Sequence, residues 1–94
     1  MRKFELVVAR NFGRDSAVVI LALQKVKPLL RNHYVRKKFK VLLENLSANK
    51  VVFFSERLAN EWIDKIIIGV TSGFFTKSDL QKIKTFLSEV LTND

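Results

Sequence analysis

The sequence lacks cysteine entirely and contains only one histidine in 94 residues. Without thiols, neither a disulfide framework nor a thiolate metal site can form, and one imidazole cannot build a histidine cluster. Only three glycines are present, and they form neither a dinucleotide-binding nor a P-loop pattern. We therefore expect no metal and no other cofactor.

Long apolar runs are also missing. The longest uninterrupted run extends from Ala17 to Leu23, far short of the roughly 20 residues that cross a bilayer. Near the amino terminus, Glu5 and Arg10 interrupt any apolar region before it could serve as a signal peptide. We expect a soluble cytoplasmic protein, or one delivered inside a virus or cell without a secretion signal, and no membrane partner.

Apolar residues, in contrast, are plentiful. They make up 48% of the chain, which includes eight Phe, one Trp and one Tyr but only one Pro. This composition is the opposite of a disordered one, and a chain of this length can bury roughly two thirds of its unfolded surface. The sequence therefore predicts one folded domain over residues 1–94.

The charge of the chain is unevenly distributed. The formal net charge is +8, yet residues 1–43 carry eleven Lys or Arg against two carboxylates, whereas residues 44–94 carry six against seven. From Ser16 through Leu43, seven cations face no carboxylate at all. If these cations share one surface after folding, that surface attracts polyanions.

Three short apolar segments rich in β-branched or aromatic residues are typical of strands: Phe4–Ala9, Val51–Phe54 and Ile66–Ile68. With the intervening helical segments they give the order β-α-α-β-α-β-α. We therefore predict an α+β fold, in which a small three-stranded sheet is packed with helices. If the three segments are helical, the alternative is an all-α bundle.

Four segments have the signals of helices. The first, Ala17 to Val26, is apolar nearly all the way round the helix, with Asp15 or Ser16 as N-cap and a break at Pro28. The second carries an apolar stripe of i, i+4, i+7, i+8 and i+11 spacing that ends near Ser47. The remaining two begin with caps: Ser55 for a helix ending near Asp64, and the capping box Thr76-Lys77-Ser78-Asp79 for a helix ending near Leu91.

The ten residues from Arg31 to Lys40, where the second helical segment begins, contain five cations. Tyr34 lies among them and could stack on a base if it is exposed. Two more arginines flank the predicted start of the first helix, where free amides favour an anion, although Asp15 would oppose one. The other interpretation of both clusters is an ordinary solvated surface. The candidate phosphate-binding residues are Arg10, Arg14, Arg31, Arg36, Lys37, Lys38 and Lys40.

No catalytic constellation is recognisable. His33 is the only side chain whose unperturbed pKa lies near neutrality, and a lone histidine in a polar turn is usually structural or solvated. Glu56, Glu61 and Asp64 are spaced along one predicted helix with Arg57 and Lys65 as ion-pair partners, which indicates a salt-bridged surface.

Two aromatic pairs are candidates for a partner interface, because neighbouring residues in a strand point to opposite sides. One member of each pair is then exposed unless helices cover both faces of the sheet. Sealing of such a patch by a homodimer is one option, and core packing is the other. The candidate interface residues are Phe53, Phe54, Phe74 and Phe75.

Three functions from different classes fit these features. The first is a non-enzymatic nucleic-acid-binding domain that contacts phosphates of DNA or RNA through its N-terminal half. The alternative is a protein–protein interaction module, such as a small phage or bacterial regulator that docks on an acidic partner. The third is a small metal-independent ribonuclease that uses His33 and Tyr34, so enzymatic activity stays open.

Overall fold

Four α-helices and one 3₁₀ segment make up most of the chain that the structure, a computed structural model, describes: residues 14–47 and 55–91. Within these two ranges there is no strand. The α+β prediction with a three-stranded sheet is therefore wrong, and the all-α bundle given as its alternative describes the molecule. The elements are α1 (Arg14–Val26), the 3₁₀ segment (Lys27–Arg31), α2 (His33–Ser47), α3 (Glu56–Thr71) and α4 (Lys77–Val90).

The predicted third strand, Ile66–Ile68, lies inside α3. Its neighbours explain why: the buried residues of this helix are Ala59, Ile63, Ile66 and Val70, a stripe of helical spacing that continues beyond Asp64. Burying that stripe outweighs the modest helix propensity of isoleucine, which costs only tenths of a kcal/mol relative to alanine. The other two predicted strands, Phe4–Ala9 and Val51–Phe54, lie outside the described residues.

The helix caps and the helix break were predicted better than the type of each element. Pro28 stands in the first turn of the 3₁₀ segment and separates α1 from α2, as predicted. The caps at Ser55 and Thr76 are confirmed, since their hydroxyl oxygens accept hydrogen bonds from the backbone N–H of Leu58 and Asp79. The predicted N-cap at Asp15 or Ser16 is wrong, because both residues lie within α1.

One core holds the helices together. Helix α1 packs against α3 and α4, α2 packs against α4, and the 3₁₀ segment contacts α1, α2 and α3. None of the helices in the described ranges is long and apolar enough to span a bilayer. The largest side chains of the core with essentially no exposure are Val19, Leu23, Val26, Leu30, Phe39, Ile63 and Ile83.

Helix α3 ends in a glycine turn that fixes the direction of the following chain. Gly73 has a φ of 72°, its N–H donates to the carbonyl of Val70, and the N–H of Phe74 donates to the carbonyl of Gly69. This pair of bonds is a Schellman motif, which satisfies the last carbonyls of a helix. The turn holds Phe74 and Phe75 in defined positions ahead of α4.

Gly73→Ala tests this turn. We expect the free energy of unfolding to fall by about 1–2 kcal/mol, because a side chain disfavours the left-handed region at that position. Urea denaturation followed by circular dichroism measures the loss, with Gln81→Ala on the exposed face of α4 as the control. An unchanged denaturation midpoint would show that the turn does not require glycine.

Candidate functional site

A groove runs between α2 and α4, which lie antiparallel. Three contacts define this direction: Lys38 meets Glu89, with Nζ and Oε2 3.7 Å apart; Phe39 packs on Phe86, with ring centroids 5.6 Å apart; and Lys82 Nζ donates to the carbonyl of Asn45. The two phenylalanines lie below the groove and are buried in the core. We call this feature the α2–α4 groove.

Two helical stripes line the groove. Helix α2 contributes Tyr34, Lys38, Val41 and Asn45, which are spaced four, three and four residues apart and so lie on one face. Helix α4 contributes the facing stripe, which is mostly polar. The further lining residues are Lys37, Leu42, Ser78, Gln81, Lys82, Thr85, Phe86 and Glu89.

Exposed apolar surface is concentrated on the α2 side of the groove. Tyr34 is 56% exposed and Val41 is 51% exposed, although both belong to a helix whose core stripe is otherwise well buried. The Lys38 ammonium lies 5.5 Å from the centre of the Tyr34 ring, within the range of a cation–π contact. The groove thus offers an aromatic ring and an aliphatic side chain to a ligand.

The charges around the groove are mostly positive. Three lysines line it, Lys37 and Lys38 from α2 and Lys82 from α4, against one carboxylate, Glu89. Because the lysines come from both walls, a ligand lying in the groove meets positive charge on either side. This arrangement favours an acidic ligand with apolar side chains of its own.

The predicted phosphate-binding cations differ in their exposure and in the groups that they contact. Arg36 donates from Nη1 to the carbonyls of Leu30 and Arg31 at 2.8 and 2.9 Å, so it closes the end of the 3₁₀ segment. Lys38 is engaged by Glu89, while Arg31 and Lys37 are exposed and Lys40 is half-buried. Of the remaining two, Arg14 lies in α1 and Arg10 lies outside the described residues.

Carboxylates from the later helices pair with cations of the first half. Lys27 Nζ lies 2.8 Å from Asp64 Oδ1, which joins the 3₁₀ segment to α3. Together with the Lys38–Glu89 pair, this contact reduces the positive field that the sequence alone suggests. Both pairs are largely exposed, so we assign them a modest share of stability, about 0–1 kcal/mol each.

The remaining titratable residues form no recognisable reaction centre within residues 14–47 and 55–91. His33 is exposed at the first position of α2, and Glu61 is bound by Arg57 at 2.9 Å. No cluster of three potential metal ligands occurs in this part of the chain. Arg57 is thus an ion-pair partner on this helix, as predicted, whereas the Lys65 ammonium lies 4.6 Å from the centre of the Trp62 ring.

The predicted aromatic interface is divided between exposed and covered residues. Phe74 is 78% exposed, the highest value among the large apolar residues described, and Phe75 is half-buried against the core. They lie in the turn before α4 and not in a strand. Phe53 and Phe54 lie outside the described residues.

Sequence reasoning missed the α4 wall of the groove and Val41. Val41 lies off the predicted core stripe of α2, and an apolar residue on an otherwise polar face was the signal that could have found it. Lys82 and Thr85 carried no such signal, because charged and polar residues on a helix are typical of solvated surface. Comparison with protein-family models, curated proteins and solved structures finds no match to this chain.

Proposed function

We propose that this chain is a non-enzymatic protein-interaction domain whose α2–α4 groove binds an acidic, amphipathic segment of a partner protein. The observation that carries the proposal is the exposed pair Tyr34 and Val41 in a groove with lysines on both walls. An amphipathic helix that lays apolar anchors into a groove is an established mode of peptide recognition. Carboxylates flanking the anchors would meet Lys37 and Lys82.

A protein ligand explains the groove better than a nucleic acid does. Binding to a phosphate backbone draws on many cations that are free to neutralise phosphates. Here Arg36 closes a turn, and Lys27 and Lys38 face carboxylates of α3 and α4. Val41, near the middle of the α2 stripe, has no donor or charge with which to bind a phosphate, but it can contact an apolar side chain of a protein ligand.

Selection from a displayed library of random peptides tests this proposal. The peptides should be about four helical turns long, roughly 14 residues, enough to follow the α2 stripe. Immobilised full-length protein is the target, and a Tyr34→Ala, Val41→Ser double variant is the matched control. Both substitutions are at exposed positions, so circular dichroism should show the same helix content.

We expect the enriched peptides to be acidic, to carry apolar residues at i, i+3 or i+4, and i+7, and to bind the control variant at least about tenfold more weakly. Enrichment of basic or neutral peptides, equal binding to the control variant, or no enrichment at all would contradict the proposal. Tighter retention of single-stranded RNA or duplex DNA than of any peptide would favour the nucleic-acid function.

The Lys38–Glu89 pair gives a second test of the groove. In Glu89→Gln, the Lys38 ammonium loses its carboxylate neighbour and becomes available to a ligand. We expect the affinity for a selected acidic peptide to rise about two- to fivefold, in line with an exposed ion pair of roughly 0.5–1 kcal/mol. Fluorescence anisotropy of the labelled peptide measures the change. If Glu89→Gln binds the peptide more weakly than the wild type, Glu89 itself contacts the ligand and the expected role of the pair is wrong.

A further inference from the structure

A second apolar surface lies at the junction of α3 and α4, away from the α2–α4 groove. Its exposed residues are Ile68 on α3, 66% exposed, and Phe74 in the following turn. Trp62 lines the same surface and is half-buried. We call it the Trp62–Phe74 patch, and it shares no lining residue with the α2–α4 groove.

The patch combines a projecting side chain with a shallow recess beside it. Phe74 projects, while the recess is lined by Leu43 and Leu46 from α2 and by Trp62 and Gly69 from α3. A surface that binds a second copy of itself around a twofold axis must be self-complementary, and a projection beside a recess meets that condition because each copy can insert its projection into the other's recess.

Phe74 is held in place before any partner arrives. Its N–H donates to the Gly69 carbonyl at 2.9 Å, and its ring meets Phe75 edge-on, at 80° with centroids 5.3 Å apart. Phe75 in turn lies so close to Gly69 that a Cβ built there would come within 2.5 Å of the Phe75 ring. A fixed aromatic side chain loses little entropy on association, which is typical of residues that dominate interfaces.

The charges on the patch are balanced. Among the residues that the structure describes, Lys65 and Asp79 are the ionisable ones that line it, one of each sign. In a twofold arrangement, Lys65 of one copy can meet Asp79 of the other, twice per dimer. The α2–α4 groove carries three lysines and one glutamate, so two copies would repel each other there.

From these features we propose that the Trp62–Phe74 patch is a self-association surface that pairs two copies of this chain around a twofold axis. Each copy inserts Phe74 into the recess of the other, and Lys65 pairs with Asp79 across the axis. The patch and the α2–α4 groove have no lining residue in common, so the residues assigned to the dimer contact are distinct from those assigned to the ligand.

Salt has opposite effects at the two surfaces. The formal net charge of +8 makes two copies repel at long range, and added salt screens that repulsion while the apolar contact persists. Salt also screens the two Lys65–Asp79 pairs, but exposed pairs of this kind contribute only about 0–1 kcal/mol each. Dimerisation should therefore strengthen as the salt concentration rises. Binding of an acidic ligand in the α2–α4 groove should weaken under the same change, so the two proposals can fail independently.

Sedimentation equilibrium of the full-length protein, at about 0.1 M and about 0.5 M sodium chloride, tests the dimer. We expect twice the monomer mass at high protein concentration, a dissociation constant that falls at higher salt, and at least about tenfold weaker association in Phe74→Ser. Val41→Ser, an exposed apolar residue of the groove, is the matched control and should dimerise like the wild type. A wild type that stays monomeric, or Phe74→Ser that dimerises equally well, would overturn the proposal.

Charge exchange tests the twofold pairing itself. Lys65→Glu and Asp79→Lys should each weaken dimerisation, because each places like charges opposite one another in both halves of the interface. The double variant should recover most of the loss. Asp79 is in the first turn of α4, so the melting temperature of each variant must be followed alongside. If the double variant melts at the same temperature as Asp79→Lys but dimerises no better than the single variants, the Lys65–Asp79 pairing is excluded.

Discussion

Replacing Phe39 by alanine is expected to lower the free energy of unfolding by about 3–5 kcal/mol. Phe39 has no exposed surface, and its ring packs on Phe86 where α2 meets α4. The substitution removes that packing and leaves a cavity that the surrounding helices can close only in part. Since domains of this kind are stable by about 5–15 kcal/mol, this one change removes much of the total.

Urea denaturation followed by circular dichroism measures this loss. Phe39→Leu keeps most of the volume and should cost about 1 kcal/mol, which gives a readable result even if Phe39→Ala does not fold. Val41→Ala, two residues away on the exposed face, should stay within about 0.5 kcal/mol of the wild type. A loss below about 1 kcal/mol for Phe39→Ala would mean that α2 and α4 do not share the packed core described here.

The largest expected effect on binding is that of reversing the charge on both walls of the α2–α4 groove. In Lys37→Glu, Lys82→Glu, a ligand carboxylate meets repulsion from either helix where it met attraction before. We expect an acidic peptide selected on the wild type to bind at least about 30-fold more weakly, because each reversal turns an attraction of roughly 0.5–1 kcal/mol into a repulsion of similar size. Isothermal titration calorimetry at one fixed ionic strength measures the difference.

A control variant with the same net charge as Lys37→Glu, Lys82→Glu separates the effect of charges in the groove from the effect of the protein's net charge. Arg31→Glu, Lys77→Glu changes the charge by the same amount at two exposed positions that do not line the groove. We expect this variant to weaken binding less than about fivefold, as a long-range effect that salt screens. If both double variants lose affinity equally, the ligand responds to the net charge of the protein and not to the groove.

The sequence predicted where elements begin and end better than what they are. Ser55, Pro28 and Thr76 act through hydrogen bonds or backbone geometry within a few residues, so their signals can be recognised locally. Ile66–Ile68 misled the prediction because a short run of β-branched residues fits a buried strand or a buried helix equally well. The helical spacing back to Ala59 and Ile63 distinguishes the two, but the prediction gave more weight to the β-branched run before Gly69.

The charge pattern misled the prediction for a different reason. Adjacent cations in the sequence suggest one basic surface, but their partners come from positions 37 or more residues away: Asp64 for Lys27 and Glu89 for Lys38. Such pairs depend on how the helices pack, which no local pattern reports. Arg36 was missed for a local reason, because its guanidinium binds the carbonyls of Leu30 and Arg31 at the end of a 3₁₀ segment that the sequence analysis had not predicted.

Part of the candidate sites could be predicted from the sequence. Tyr34, Lys37 and Lys38 were singled out as binding residues and do line the α2–α4 groove, although for the nucleic-acid hypothesis. Phe74 was named as a partner residue and is exposed. Lys82 and the α4 wall could not be named, since the groove exists only because α2 and α4 pack antiparallel.

Mapping the ligand onto the folded protein tests the central claim most directly. Backbone amide chemical shifts of ¹⁵N-labelled protein should be recorded while an acidic, amphipathic peptide from the selection is added. We expect the largest changes at Tyr34, Lys38 and Val41 on α2 and at Gln81 and Thr85 on α4, with little change around Phe74. Changes centred on Arg31 and α1, or spread evenly over all exposed lysines and arginines, would contradict binding in the groove.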